Sequence, residues 1–223
     1  MQDGRTSYFH QSIGGYHAAK MRRYQELFDY QIAKNNMETL KMLNTKYVIF
    51  TNKHREEELI ELDANGNAWF VNEFKTVTSA NEEIRALDSL DTKNKVVISK
   101  NDFEKFQLQD ILSEQDSTAT IQLTKYDVTT LEYLSKTRKN QFAVFSEIYY
   151  KNGWNAYVDG KLTPHFRVNY VLRGMLIPKG THTIIFKFEP TVIKKGNIIG
   201  LFSYGLLLLI SVGWFFLKKK KLS

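Results

Sequence analysis

The chain has no cysteine. That excludes disulfides, a thiol nucleophile and a zinc–thiolate site. Its five histidines (His10, His17, His54, His165 and His182) show no HExxH-type spacing and no second ligand close by in sequence. No metal motif is therefore present. A GxSxG elbow, a P-loop and a Gly-rich dinucleotide turn are missing as well, so the common signatures of hydrolases and nucleotide-binding enzymes are absent. We expect no metal and no cofactor, and no catalytic residue is assigned. The first ten residues, MQDGRTSYFH, are polar and contain no apolar run of signal-peptide kind. A usable excess of positive charge is lacking too. The formal net charge is +7, but 31 basic residues less the four consecutive lysines at 218–221 leave 27 against 24 acidic. Those charges are too few and too scattered to argue for nucleic acid.

What is present is one long apolar run, Ile198 to Leu217, without charge or proline. At about 1.5 Å per residue it makes a helix of roughly 30 Å, the thickness of a bilayer's hydrocarbon core. A soluble helix of that length would show a polar stripe, and this one does not. Trp214, Phe215 and Phe216 stand where an aromatic belt belongs, followed by Lys218–Lys221. A basic cluster just outside a span faces the cytoplasm. The bulk of the chain is therefore expected on the extracytoplasmic side of a membrane, with a cytoplasmic C-terminus. Because no signal peptide precedes it, the chain reads as the C-terminal piece of a longer, multi-spanning protein.

The part before the span reads as α+β. A helix is expected from Tyr16 to about Ala33, on the stripe Met21, Tyr24, Leu27, Phe28 and Ile32. A second runs from Met37 to Leu43. Strands are expected at 46–50, 68–71 and 95–99, with a possible extension at 76–78. Ser79 and Glu82 have the spacing of a capping box and open another helix. Residues 100–117 are polar, with little periodicity, and read as a connector. From Thr118 onward the chain is β throughout, with strands at 118–126, 129–134, 141–149, 154–158, 166–171, 175–177 and 182–188. Asp159-Gly160 is a hairpin signal, because both residues tolerate the positive φ of a type I′ turn. So many short strands argue for an antiparallel sandwich. The expected organisation is an α/β subdomain with a small mixed sheet at 1–117, a β-sandwich at 118–190, a linker at 191–197, the membrane helix at 198–217 and a basic tail at 218–223.

Aromatic residues gather at strands and their ends: Trp69, Tyr149, Tyr150, Trp154, Tyr157 and Tyr170. Flat aromatic faces suit the C–H faces of sugars, and their polar tips bond hydroxyls. They also pack sandwich cores. As substrate-binding candidates we take Tyr157, Trp154, Tyr150, Glu147 and Trp69. Along 154–158 alternation sends Trp154 and Tyr157 to opposite faces, so Trp154 is expected to anchor the core and Tyr157 to be exposed.

Several stretches taken together resemble a known family: Tyr8-Phe-His-Gln-Ser-Ile-Gly-Gly-Tyr-His17, Met42-Leu-Asn-Thr-Lys-Tyr47, Gly66-Asn-Ala-Trp-Phe70, and the run Phe145 to Gly160 with its GWNAYVDG. Phe166-Arg-Val-Asn-Tyr-Val-Leu-Arg173, Pro178-Lys-Gly-Thr-His182 and Phe188-Glu-Pro190 complete the pattern. It is similar to the C-terminal part of the YfhO family of bacterial membrane proteins, from about residue 5 to the final helix. The resemblance implies a polytopic glycosyltransferase that takes sugars from polyprenyl-phosphate carriers on the outer side of the membrane and decorates cell-envelope glycans. It places the acidic catalytic residue in an upstream external loop, so the present chain would position substrate or support structure without turning over alone. The other expectation is a non-enzymatic module, tethered by one helix, that binds glycan or protein. Further hydrophobic spans in the upstream reading frame would favour the first reading.

Overall fold

The structure is a computed structural model and describes residues 5–15, 19–51, 53–111 and 116–221. His17 and the expected helix start at 16–18 lie outside the described residues, as do 112–115 of the connector and 222–223 of the tail.

Helices α1 (Arg5–Phe9), α2 (Arg22–Tyr30) and α3 (Met37–Met42) lead into a hairpin of β1 (Tyr47–Thr51) and β2 (Glu57–Glu61). Strands β3 (Ala68–Val71) and β4 (Glu73–Val77) follow, then α4 (Ala80–Ala86), β5 (Lys95–Ser99) and α5 (Lys100–Lys105). The β-rich part holds β6 (Thr120–Tyr126), β7 (Thr130–Thr137), β8 (Gln141–Ile148), β9 (Trp154–Val158), β10 (Lys161–Thr163), β11 (Phe166–Val168), β12 (Leu172–Ile177) and β13 (Gly180–Phe188). Helix α6 (Thr191–Lys221) ends the order. The chain is α+β with one C-terminal helix that could span a membrane: Thr191–Val212 has membrane length and a mean hydropathy of 1.6, and none of it is buried.

Local chemistry explains most boundaries. Helix α2 begins at Arg22, later than expected, because Met21 is extended (ψ 130°). The Asn36 side chain accepts from Thr39 N at 3.2 Å and starts α3. Ser79 Oγ accepts from Glu82 N as a capping box requires, but the Glu82 carboxylate reaches one residue further back, to Thr78 N at 2.8 Å. The stretch read as a connector holds α5, which Ser99 opens by accepting from Asp102 N at 3.1 Å. That cap was visible as Ser99-x-x-Asp102, and polar composition hid it. Residues 191–197, expected as a linker, are the first turns of α6.

Two sheets face each other. A five-stranded sheet has the order β10-β9-β13-β7-β6, and a six-stranded one β3-β8-β12-β11-β5-β4. All pairs are antiparallel except β4 with β5, which are joined through α4 as a βαβ unit. The six-stranded sheet thus draws on both sides of residue 117. Period-two alternation on β8 divides its side chains: Ala143 and Phe145 enter the core between the sheets, and Phe142 and Val144 enter a second core. Leu27, Met42, Ile84 and Leu87, from the helical half, close that second core. The order of layers is helices, six-stranded sheet, five-stranded sheet.

Asp159 (φ 48°) and Gly160 (φ 80°) turn β9 into β10, with Val158 opposite Lys161. A Cβ at Gly160 would meet nothing within 4 Å, so a substitution there tests backbone strain alone. Gly160→Val should destabilise the domain by about 1 kcal/mol or more, read from denaturant midpoints. Unchanged stability would mean the turn can re-form with negative φ.

The same turn is tied to the start of β13. Asp159 accepts from Thr183 N at 2.9 Å and lies 2.6 Å from His182 Nδ1, while His182 Nε2 lies 2.9 Å from the Lys179 carbonyl. With acceptors at both nitrogens, the imidazolium is the form that fits. The Asp159 hydrogen bond, then the Lys179 carbonyl, raises the His182 pKa. A raised folded value contributes stability that is complete below the ordinary value of about 6.5 and is lost as pH rises through the folded value. His182→Gln should therefore lower Tm more at about pH 6 than at about pH 9. Equal losses at both pH values would show that the neutral ring serves as well.

Candidate functional site

The strand ends define two ends of the sandwich. At one end lie the Asp159-Gly160 turn, residues 138–140 and Pro178-Lys179. At the other, β6 turns into β7 at 127–129, β8 turns into β9 at 149–153, and β13 passes through Glu189-Pro190 into α6. Phe188 pairs with Trp154, and its N–H donates to the Thr129 carbonyl at 2.9 Å. The second end is therefore the one from which the membrane-length helix departs.

A polar cluster occupies the core at that end. Glu147 follows Ala143 and Phe145 on the face of β8 that meets the five-stranded sheet. Arg173 of β12 sits opposite Phe145 after a register shift between Leu172 and Arg173. Arg173 is 2% exposed. Its guanidinium lies 4.3 Å from the Trp154 ring centroid and 5.0 Å from that of Phe186, and Nε donates to the Ile148 carbonyl at 3.2 Å. Its Nη1 is buried without a hydrogen-bond partner, as are Tyr133 Oη and His165 Nε2. Burial pushes the Glu147 carboxyl pKa up, and the Arg173 charge opposes this. Burial, helped by Arg173, lowers His165 to about 4, so this ring is neutral at physiological pH. Burial pushes the Tyr133 phenol well above its ordinary range. Unsatisfied buried groups are uncommon in folded proteins, and here a guanidinium nitrogen is one of three, with Tyr133 Oη and His165 Nε2. The arrangement sets a carboxyl whose pKa is raised near unsatisfied donors from Arg173 and Tyr133.

A second cluster lies on the outer face of β9. Tyr157 Oη donates to a Glu189 carboxylate oxygen at 2.7 Å, and Asn155 Nδ2 donates to the same oxygen at 2.9 Å. Glu189 N donates to the Gly153 carbonyl at 2.6 Å. The last residues before α6 are thus held to β9 through side chain and backbone together.

Of the sequence candidates, Trp154 lies under the Arg173 guanidinium, and Glu147 feels its charge. Trp154 is half-buried and packs against the inter-sheet core. Tyr157 is half-buried on the opposite face, with its hydroxyl engaged by Glu189. Tyr150 is exposed in the turn before β9. Trp69 stands apart. It is 4% exposed, packs in the core beneath the helices, and donates its indole N–H to the Thr92 carbonyl at 2.9 Å. It offers no open face to a ligand. Sequence reasoning missed Arg173, Asn155 and Glu189. Arg173 did leave a trace, as a lone charge inside the apolar strand Val-Leu-Arg-Gly-Met-Leu-Ile. A separate open groove of about 720 Å³ lies between Ile13-Gly14-Gly15, Tyr24 and Phe28 of the first helical region and Ile148 of β8. Among the described residues no group of three or more His, Cys, Asp or Glu side chains could hold a metal ion.

The opposition of burial and Arg173 at Glu147 gives a direct test. Arg173→Met keeps much of the volume and removes the charge that holds the Glu147 pKa down. That pKa should then rise further, measured by NMR of a selectively labelled carboxyl carbon. An unchanged titration would show that Arg173 does not act on Glu147.

Comparison with known proteins joins these features to a family. No curated protein and no solved structure matches the chain. The family model described as "Bacterial membrane protein YfhO" matches residues 33–200, from the end of the first helical region through the sandwich into α6. Because that match covers most of the sequence, and the helix that follows the sandwich has membrane length, the chain belongs to the YfhO family of bacterial membrane proteins.

Proposed function

We propose that this chain is the C-terminal extracytoplasmic domain and final membrane helix of a polytopic glycosyltransferase. The whole enzyme transfers sugar from a polyprenyl-phosphate carrier to a cell-envelope glycan, and this part positions substrate. One observation carries the reading: Glu147, Tyr150 and Trp154 lie at the end of the sandwich from which α6 leaves, and Tyr157 reaches that end through its hydroxyl's bond to Glu189. A sugar on a lipid carrier is presented at the membrane surface, so polar and aromatic groups that engage it belong at this end. Aromatic rings beside hydrogen-bonding groups suit a pyranose. The basic cluster at 218–221 supports a sidedness in which α6's C-terminal end is cytoplasmic and the sandwich lies outside.

The test is a set of variants in the full-length parent. Glu147→Gln and Tyr157→Phe should reduce glycan transfer several-fold while Tm stays close to that of the parent. Transfer at the parental rate in both would remove this end of the sandwich from substrate handling. Lys161→Cys, in a chain without other cysteines, should react with an impermeant thiol reagent on intact spheroplasts. Protection until the membrane is opened would reverse the sidedness.

A further inference from the structure

The two ends of the sandwich differ in character. The end remote from α6 turns through Asp159-Gly160, Arg138-Lys139-Asn140 and Pro178-Lys179, all polar or turn-forming. The end next to α6 carries Val128 at a hairpin tip. The turn is tight: Asp127 N donates to the Thr130 carbonyl at 2.9 Å, and Thr130 N returns to the Asp127 carbonyl at 3.3 Å. Gly, Asn and Asp are the ordinary occupants of such a tip. Val128 is instead 86% exposed, with Tyr126 58% exposed beside it and Tyr150 exposed on the neighbouring turn. Lys125 and Lys151 are exposed at the same end. The acidic groups there are engaged: Asp127 accepts from Val128 N at 2.6 Å, Glu132 lies 4.0 Å from Lys125, and Glu189 holds Tyr157 and Asn155.

The distance to the bilayer is short. Thr129 is hydrogen-bonded to Phe188, three residues before Thr191, and the membrane-length segment begins at Thr191 itself. If the hydrocarbon core begins at Ile198, the seven intervening residues rise only about 10 Å. That is comparable to the headgroup layer on one side of a bilayer. Glu189, clamped to β9 from both side chain and backbone, leaves little slack between the sandwich and the helix.

We propose that this end of the sandwich is a membrane-contact surface. Val128 and Tyr126 enter the headgroup layer of the bilayer that α6 spans, Tyr150 lies at its aromatic level, and Lys125 and Lys151 face lipid phosphates. The contact is continuous with α6 and fits an exposed apolar tip ringed by aromatic and basic residues. It fixes the height of the Glu147–Arg173–Trp154 cluster above the hydrocarbon. The proposal rests on α6 crossing the membrane and not on the glycosyltransferase reading.

The absence of cysteine makes the test direct. Single cysteines are placed at Val128, at Lys151 and, at the far end, at Lys161 in the full 223-residue chain. Each is labelled with an environment-sensitive fluorophore and reconstituted in phosphatidylcholine–phosphatidylglycerol vesicles. Headgroup-attached quenchers should quench Val128→Cys and Lys151→Cys several-fold more than Lys161→Cys, and Val128→Cys should shift to the blue. Water-like spectra at Val128 and Lys151, equal to Lys161, would overturn the proposal and leave a protein partner as the occupant of the tip. Equal quenching at all three positions would overturn it as well, since the domain would then lie on its side. Glycan transfer enters none of these readouts, so failure here is distinguishable from failure of the proposed function.

Discussion

Strand β8 is buried on both faces, and most of the domain is arranged to satisfy that burial. A strand with apolar side chains on both faces needs cover on both. Ala143 and Phe145 obtain it from the five-stranded sheet, and Phe142 and Val144 from helices of the first half. Neither half could supply both covers alone. The first half contributes β3 on one side of β8, and the second half contributes β12 on the other. The two halves therefore fold against a shared strand, and their cores are separated only by its thickness.

The end of that same strand carries the polar cluster. Where β8 runs out of apolar residues, Glu147 continues the inward face, and the register shift between Leu172 and Arg173 sets Arg173 opposite Phe145, two residues before it. A buried guanidinium stacked on Trp154 and Phe186, with one nitrogen lacking a partner, is costly to maintain. Core packing alone would be served as well or better by an apolar residue. Burial also pushes up the pKa of the nearby Glu147 carboxyl, and perturbed groups of this kind gather at functional sites, which is why this end is the candidate site.

Helix α6 makes this end different from every other surface. The chain passes from β13 through Glu189 into the helix without a flexible linker, and Tyr157 and Asn155 pin the junction. The domain is thereby held close to the start of that helix. The candidate cluster and the exposed Val128 tip both lie at the end of the sandwich next to that helix.

Much of this was legible in the linear chain. The membrane-length helix follows from an uninterrupted apolar run, and the Asp159-Gly160 turn from two residues that accept positive φ. The strands from 118 onward follow from short apolar or alternating runs between turn signals, apart from the short Lys161–Thr163, which lies too near its turn to show a period. These signals are local, carried by neighbours within one element. Three other features were decided only in three dimensions. The sharing of the six-stranded sheet between the halves depends on pairings such as Trp69 with Val144, far apart in sequence. The burial of Trp69 depends on helices that cover it. The stacking of Arg173 on Trp154, with its charge acting on Glu147, depends on a register shift and on two sheets meeting face to face. Sequence alternation tells which residues share a face, but what lies across from that face is set by long-range packing, and that is where this protein's candidate site is assembled.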